Sequence, residues 1–233
     1  MRSKETIVYL IIQTLLFLAI KVSDYYANNV TYASVRFLFI VVNAIFATKL
    51  FIDASEKIVW NTDLLLLGLW TTVVADFFLV FLPNISPSLD SISTLVGFSF
   101  FVIVQTIYAF YLGMPRNNFI IRLIAILSFW ALLIVTDKFT ISLAIGAINM
   151  VMLTINVITA WRRWNQEHST DKFLFALAIT CFLICDYSIV LKAVTINVSH
   201  EIFRFLVWAA YAPAQILIVL TYKIKKWKGS SVI

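Results

Sequence analysis

The sequence predicts an all-α protein, a polytopic bundle of about eight transmembrane helices, from its composition and from the spacing of its apolar residues. Of the 233 residues, 62% are hydrophobic and 13% are charged, whereas a soluble domain has roughly 45–50% and about 25%, respectively. The apolar residues form runs of about twenty, the length that crosses a ~30 Å hydrocarbon core as a helix. This composition excludes a soluble enzyme, a nucleic-acid-binding domain and a disordered chain.

Eight apolar runs follow one another, and short polar linkers separate them. Breaker residues mark two linkers, with Pro83 and Pro87 after the third run and Gly113 and Pro115 after the fourth. The first run is interpreted as a helix rather than a signal peptide, because no small-residue cleavage site follows it. We expect a single integral membrane domain over residues 1–233. Its predicted spans are 7–22, 32–52, 64–82, 91–112, 118–135, 140–160, 172–194 and 202–222.

The distribution of Lys and Arg predicts the orientation, because cytoplasmic loops carry an excess of these residues. Of the 18 lysines and arginines, all but five belong to the side of the bundle that holds both termini. The five are Lys21, Arg36, Lys138, Lys192 and Arg204. We therefore expect an integral protein of the plasma membrane with cytoplasmic N- and C-termini.

The two halves of the chain, residues 1–114 and 115–233, match each other at an offset of 110. Asp76 and Asp186 are separated by this offset, and so are Gln105 and Gln215. The offset also places the first span on the fifth and the second on the sixth. Two halves of four spans have the same topology and are related by an axis along the membrane normal. A duplication explains this pattern, but equal span lengths alone explain part of it, so both interpretations stay open.

Two carboxylates lie deep in the predicted spans. Asp76 lies 12 residues into the third span and Asp186 14 residues into the seventh, both counted from the cytoplasmic side. No Lys or Arg lies in the middle of a span to neutralise them, and a carboxylate at this depth normally faces the bundle interior or a wet cavity. Two carboxyls that face each other provide one acid and one base, the division that acid/base catalysis uses.

Other polar side chains lie at nearby or shallower depths and predict one cavity among the second, third, fourth, sixth, seventh and eighth spans. They are Asn43, Gln105, Asn149, Tyr211 and Gln215. Hydrogen bonding between helices is the commoner role of a single Asn or Gln in a membrane. Arg36, near the outer end of the second span, either binds a phosphate or extends to the interface. His168 and His200 lie in opposite loops, so we expect no metal site.

The third and fourth spans contain motifs of a known membrane-protein family. The segment GLWTTVVADFFLVFLP matches the family pattern at Asp76, with Thr72 at a position where the family has Ser. The segment GFSFFVIVQTIY matches it at Gly97 and Tyr108. Gln105 in this segment is a departure, because the family usually has His there.

The seventh and last spans continue the match. The segment CDYSIV keeps Asp186 and has Cys185 in the place of Ser, and the segment YAPAQILI matches closely through Tyr211 and Gln215. In these four motifs the chain resembles the lysoplasmalogenase-like (YhhN) family. A Lys-Pro pair that the family tends to carry near the start of the second span is absent, and Arg36 is the only cation nearby.

The resemblance implies hydrolysis of the vinyl ether bond of a lysoplasmalogen, or of a related ether lysolipid, to a fatty aldehyde and a glycerophospho-base. Protonation of the vinyl ether needs a neutral acid, and the resulting cation needs a carboxylate. We expect Asp76 and Asp186 in these catalytic roles, without metal or cofactor. The expected substrate-binding residues are Arg36, Asn43, Thr72, Gln105, Tyr108, Tyr211 and Gln215.

A proton-coupled transporter or binder of a lipid or small amphiphile would use the same aspartates. Parallel repeats with carboxylates at the midplane fit that function equally well. In either case the expected partners are membrane lipid and a lysolipid or amphiphile, with no nucleic acid. The sequence leaves the oligomeric state open.

Overall fold

The computed structural model describes residues 3–26, 29–53, 60–113, 116–137, 139–194 and 200–230. Within these ranges the chain is helical and contains no strand. The eight long helices are α1 (Ser3–Tyr26), α2 (Asn29–Asp53), α3 (Trp60–Asp76), α4 (Asp90–Tyr111), α5 (Arg116–Val135), α6 (Ile141–Glu167), α7 (Thr170–Val194) and α8 (His200–Ser230). Seven helical stretches are long and apolar enough to cross a membrane, and an eighth, Phe119–Val135, is apolar but shorter. The predicted fold class is therefore confirmed, and the chain is an integral membrane protein.

The beginning of α1 and the end of α8 lie at one end of the bundle. Lys223 on α8 donates a hydrogen bond to the Thr6 hydroxyl on α1, so the first turns of α1 pack beside the last turns of α8. We call this the terminal end and the other the distal end. Which end faces the cytoplasm stays a prediction, and three of the cations behind it, Arg2, Lys57 and Lys138, lie outside the described residues.

Two helices extend well beyond their predicted spans at the terminal end. The α6 helix continues from residue 160 to Glu167, and α8 continues from residue 222 to Ser230. Hydropathy marks only the segment in contact with lipid tails, whereas an α-helix continues as long as its backbone bonds are satisfied. In α6 the end comes at His168, whose left-handed φ of 45° and N–H bond to the Trp164 carbonyl close the last turn.

The α3 helix changes geometry immediately after Asp76. A π-helical turn occupies Phe77–Phe81, followed by a short α-helix, Leu82–Ile85, and a 3-10 turn, Pro87–Leu89. Pro83 has no backbone N–H, so the regular α-helical bond at this point cannot form. The N–H of Leu82 instead bonds to the carbonyl of Phe77, five residues earlier. The π turn therefore lies directly beside the predicted catalytic carboxylate, and π turns are frequent at functional sites.

Six of the eight helices form a closed ring. In order around it, α2 packs on α3, α3 on α4, α4 on α6, α6 on α7, α7 on α8, and α8 on α2. The α1 helix packs outside the ring on α2, and α5 packs outside it on α6. The ring consists of the six spans on which the polar residues were predicted to line one cavity.

Most helix contacts repeat between the two halves of the chain, although the contact of α3 with α8 has no counterpart of similar extent between α7 and α4 in the described residues. The first half contains the contacts α1–α2, α2–α3 and α3–α4. Their counterparts in the second half are α5–α6, α6–α7 and α7–α8. The contact between α2 and α8 corresponds to the contact between α6 and α4. Such an order is expected of two repeats related by an axis along the membrane normal. The duplication itself stays a prediction.

The outer surface of the bundle is apolar, as contact with lipid tails requires. On α1 the exposed side chains include Ile7, Ile11 and Leu15, and on α5 they include Ile121 and Ile124. Because both helices lie outside the ring, they shield its polar interior from lipid on two sides.

Candidate active site

Asp76 is the last residue of α3 and lies inside the ring with 3% of its surface exposed. The Tyr211 hydroxyl on α8 donates a hydrogen bond to Asp76 Oδ2. One turn further along α8, Gln215 Nε2 donates to that hydroxyl at 3.1 Å. Because the hydroxyl accepts from Gln215, its single proton points to the carboxylate. Three of the predicted site residues therefore form one hydrogen-bonded chain.

Asp186 lies on α7, inside the ring. Its Oδ2 accepts a hydrogen bond of 2.9 Å from Asn149 Nδ2 on α6. Asp186 as a whole residue is half-buried. Asp186 also acts electrostatically on the Asp76 carboxyl. The fold therefore brings the two predicted carboxylates, which are far apart in sequence, into one electrostatic environment.

Neutral groups hold both aspartates. Among the residues that the structure describes, neither carboxylate forms an ion pair, and their hydrogen-bond donors are a tyrosine and an asparagine. The cation that acts on Asp76 is Arg36, which does so through space.

Carbonyl oxygens around the carboxylates lack donors. Asn149 Oδ1 and Gln215 Oε1 are buried without a hydrogen-bond partner. Gln13 Oε1 on α1, outside the ring, is also buried and unpartnered, while Gln13 Nε2 donates to the Phe39 carbonyl of α2 at 3.5 Å. Leaving a buried acceptor unpaired costs about 1–3 kcal/mol. The surplus of acceptors makes this region suited to ligands that donate hydrogen bonds, such as water or an alcohol.

A second polar cluster surrounds Gln105. Asn156 Nδ2 donates to the Gln105 carbonyl at 2.9 Å and to its Oε1 at 3.1 Å. Asn156 Oδ1 in turn accepts a bond of 2.8 Å from Arg122 Nη2. Asn156 follows Asn149 by seven residues, so the two clusters lie two turns apart on one face of α6. Gln105 is thus held in the second cluster, toward the terminal end.

Two members of the second cluster, Arg122 and Asn156, were not among the predicted site residues. Arg122 was counted among the cations of the terminal side, but it is 3% exposed and lies between α5 and α6. Arg122 lies one turn inside the fifth apolar run, and this position could have indicated a buried cation. Asn156 had a signal as well, because its seven-residue spacing from Asn149 repeats one face of a helix. Gln13 lies outside this cluster but was also missed, although a lone amide within the first apolar run could have indicated a buried polar contact.

Three other predicted residues contact helix backbone or neighbouring rings. Asn43 accepts from the Tyr9 hydroxyl and donates to its own helix backbone at 2.9 Å. Thr72 donates to the Gly68 carbonyl at 2.9 Å. Tyr108 packs against Gly68, where a Cβ would lie 2.4 Å from Tyr108 Cε1. Their role in substrate binding stays a prediction.

Arg36 lies about one helical turn from Asp76 toward the distal end. Its guanidinium is 4.8 Å from the centre of the Trp208 ring, and Trp208 precedes Tyr211 by three residues on α8. At ~1.5 Å per residue, Trp208, which Arg36 contacts, and Tyr211, which donates to Asp76, differ in level along α8 by about 4.5 Å.

Within the described part of the chain, no group of three or more His, Cys, Asp and Glu residues could hold a metal ion.

Comparison with known proteins gives one family. The sequence model of the YhhN family matches residues 31–222, a segment that includes both aspartates and reaches from the start of α2 into α8. No curated protein matches the chain. No solved structure matches it either.

Proposed function

The chain belongs to the YhhN family, and from this premise we propose that it hydrolyses the vinyl ether bond of a lysoplasmalogen or a related ether lysolipid. The observation that carries the proposal is the pair of membrane-embedded carboxyls, Asp76 and Asp186, which accept hydrogen bonds from Tyr211 and Asn149 and are near enough for Asp186 to act electrostatically on Asp76. An intramembrane site suits a substrate whose reactive bond adjoins an apolar tail.

The two carboxyls supply what the reaction needs. The proton of one carboxyl is transferred to the β-carbon of the vinyl ether, which gives an oxocarbenium ion at the adjacent carbon. The other, ionised carboxyl stabilises this cation and orients a water molecule. Water adds to the cation and loses a proton, and the resulting hemiacetal collapses to a fatty aldehyde and a glycerophospho-alcohol. One water is consumed, and the catalytic proton returns to the pair.

The surrounding amides suit the polar parts of this substrate. Asn149 Oδ1 and Gln215 Oε1 are buried acceptors without donors, and water or the free glycerol hydroxyl donates hydrogen bonds. Phe182 packs on the Tyr211 ring with 5.3 Å between the ring centres, so apolar surface adjoins the hydrogen-bonded chain. An alkenyl tail can therefore lie beside the carboxyls without losing apolar contacts.

The test is aldehyde release from lysoplasmenylethanolamine by the purified protein in detergent. Asp76→Asn and Asp186→Asn keep the side-chain volume but remove the acid, so we expect each to lower the turnover rate about 10²–10⁴-fold. Asp90→Asn is the matched control, because Asp90 is an exposed carboxylate at the distal end. We expect it to retain wild-type turnover.

The result also separates an enzyme from a transporter. Turnover in detergent needs no second compartment, whereas transport does. Folded wild-type protein without aldehyde release would overturn the hydrolase and direct the next experiment to proton-coupled uptake in vesicles. Wild-type turnover in both Asp→Asn variants would exclude the carboxyl pair from the chemistry. Melting temperatures in the same detergent establish that each variant is folded.

A further inference from the structure

Four charged side chains meet at the distal end of the bundle. Arg204 on α8 pairs with Asp24 on α1, with 2.9 Å between Nη1 and Oδ1. Lys21, one turn before Asp24, lies 4.4 Å from the ring centre of Phe205 on α8. Arg36 on α2 interacts electrostatically with Asp24 and Arg204, and Lys21 with all three. We call Lys21, Arg36 and Arg204, with Asp24, the distal cluster.

The distal cluster has an excess of positive charge, because three cations accompany one carboxylate. Within the described residues, the carboxylate pairs with Arg204, and no other carboxylate pairs with Lys21 or Arg36. Holding like charges together in a half-buried position costs free energy, and a bound anion would remove that cost.

The Arg36 guanidinium is oriented but not saturated. It donates to the Tyr32 hydroxyl and lies 3.6 Å from the Tyr32 ring centre and 4.8 Å from the Trp208 ring centre. Its Nε atom is buried and has no partner. A planar guanidinium held between two rings with a free N–H is a typical arrangement for binding a phosphate.

The distance between the distal cluster and the carboxyls suits one lysolipid. Arg36 contacts Trp208, and Asp76 accepts from Tyr211 three residues further along α8, so the two groups differ in level by about one helical turn. In a lysoplasmalogen the vinyl ether and the phosphate occupy opposite ends of a three-carbon glycerol, a comparable separation. A phosphate at the cluster would therefore place the ether oxygen near the carboxyl pair.

We propose that Lys21, Arg36 and Arg204 form a subsite for the phosphate ester of a lysolipid head group, which positions the ether bond at Asp76 and Asp186. The proposal rests on the proposed function, to which it adds the three residues that hold the phosphate of the substrate. It also gives the cluster a role beyond packing, because the preference for phosphate over an uncharged head group would depend on these cations.

The first experiment measures substrate preference. Wild-type and variant proteins in detergent receive lysoplasmenylethanolamine or 1-O-alkenylglycerol, which has the same ether bond but no phosphate. Losing one charged hydrogen-bond donor weakens phosphate binding about tenfold or more. We expect Arg36→Gln and Lys21→Gln each to lower the preference for the phosphate-bearing lipid by that factor in kcat/KM. An unchanged preference in both variants would overturn the subsite.

Lys49→Gln is the matched control. Lys49 is an exposed cation on α2 at the terminal end, paired with Glu5 at 3.1 Å, so the substitution removes the same charge far from the distal cluster. We expect it to keep the wild-type preference. A loss equal to that of Lys21→Gln would show a general effect of net charge and refute a local subsite.

Asp24→Asn separates a phosphate subsite from a purely structural cluster. This change removes the one carboxylate and makes the cluster more positive, so we expect phosphate-bearing lipid to bind a few-fold more tightly. A structural role predicts the opposite, because breaking the bond to Arg204 would loosen the cluster. Equal or weaker binding by folded Asp24→Asn protein would therefore contradict the proposal.

Binding of a saturated ether lysolipid, 1-O-alkylglycerophosphocholine, separates failure of the subsite from failure of the hydrolase. This probe lacks the vinyl ether and needs no turnover, so an Arg36-dependent Kd supports the subsite even if no aldehyde is ever released. A Kd that is the same in wild type and both Gln variants overturns the subsite even in an active enzyme.

Inorganic phosphate serves as competitor in the same binding experiment. If it binds through Arg36 while phosphate-bearing and phosphate-free lipids bind alike, the ligand is free phosphate and the head-group assignment is wrong.

Discussion

Replacing Gly97 by alanine tests the close packing that positions the end of α3. A Cβ at Gly97 on α4 would lie 2.4 Å from Leu79 Cγ and 3.1 Å from the Ala75 carbonyl oxygen. Carbon atoms in contact are normally about 3.5–4.0 Å apart, so the π turn or α4 must move to accept the methyl group. Small residues at such contacts are what allows membrane helices to approach closely. Because Ala75 directly precedes Asp76, the same movement would displace the carboxyl.

Gly146→Ala is the control for this substitution. Gly146 lies in α6, and a Cβ added there would meet no neighbouring atom within 4 Å. Both substitutions gain the helix propensity of alanine, about 0.5–1 kcal/mol, and only Gly97→Ala adds the steric cost of overpacking, about 1–3 kcal/mol. We therefore expect the free energy of unfolding of Gly97→Ala to be lower by about 1–3 kcal/mol than that of Gly146→Ala. Titration with SDS in mixed micelles, followed by circular dichroism, measures the difference.

A second substitution identifies the clash. Leu79→Ala removes the two carbon atoms nearest to the added methyl group, so Gly97→Ala should cost less in a Leu79→Ala background. The double-mutant cycle should give a favourable coupling of about 0.5–3 kcal/mol. Equal stability of Gly97→Ala and Gly146→Ala would refute the reasoning, and so would a cycle with no coupling. Turnover of Gly97→Ala should fall as well, whereas Gly146→Ala should keep it.

Two further predictions concern the hydrogen-bonded clusters. Tyr211→Phe keeps the ring but removes the donor to Asp76. We expect kcat for aldehyde release to fall about 10- to 100-fold, because a hydrogen bond to a charged group contributes that much. A wild-type kcat in this variant would show that the bond has no part in the chemistry. Asn156→Leu removes the 2.8 Å acceptor of the buried Arg122 and the donor to Gln105, and it leaves Arg122 with only its contacts to the Met152 carbonyl and sulfur. We expect a loss of about 1–3 kcal/mol in SDS titration, and unchanged stability would mean that Met152 satisfies Arg122 by itself.

Much of the fold could be predicted because it depends only on the order and spacing of residues along the chain. Run length and hydropathy predicted eight helices, and counting residues along a helix placed Asp76 and Asp186 at one depth. The choice of the six ring helices as the polar ones also followed from this count, because polar side chains in a membrane must face other helices rather than lipid. These arguments need only the period and the rise of an α-helix.

The groups that each carboxyl contacts could not be predicted in the same way. Asp76 bonds to Tyr211 on α8 and Asp186 to Asn149 on α6, although the 110-residue offset makes the two aspartates equivalent in sequence. Polar side chains at one depth all compete for the same partners, and only the rotation of each helix and its distance from its neighbours select among them.

The sequence by itself determined the membrane-spanning class and the number of helices, because these follow from the cost of placing polar groups in lipid, and the common depth of both aspartates stays its prediction. Only the tertiary structure decided that α3 continues as a π turn after Asp76, that Arg122 lies buried against Asn156, and that Lys21, Arg36 and Arg204 meet at the distal end. Those features depend on contacts between residues far apart in the chain, whose geometry is set by how six helices close into a ring.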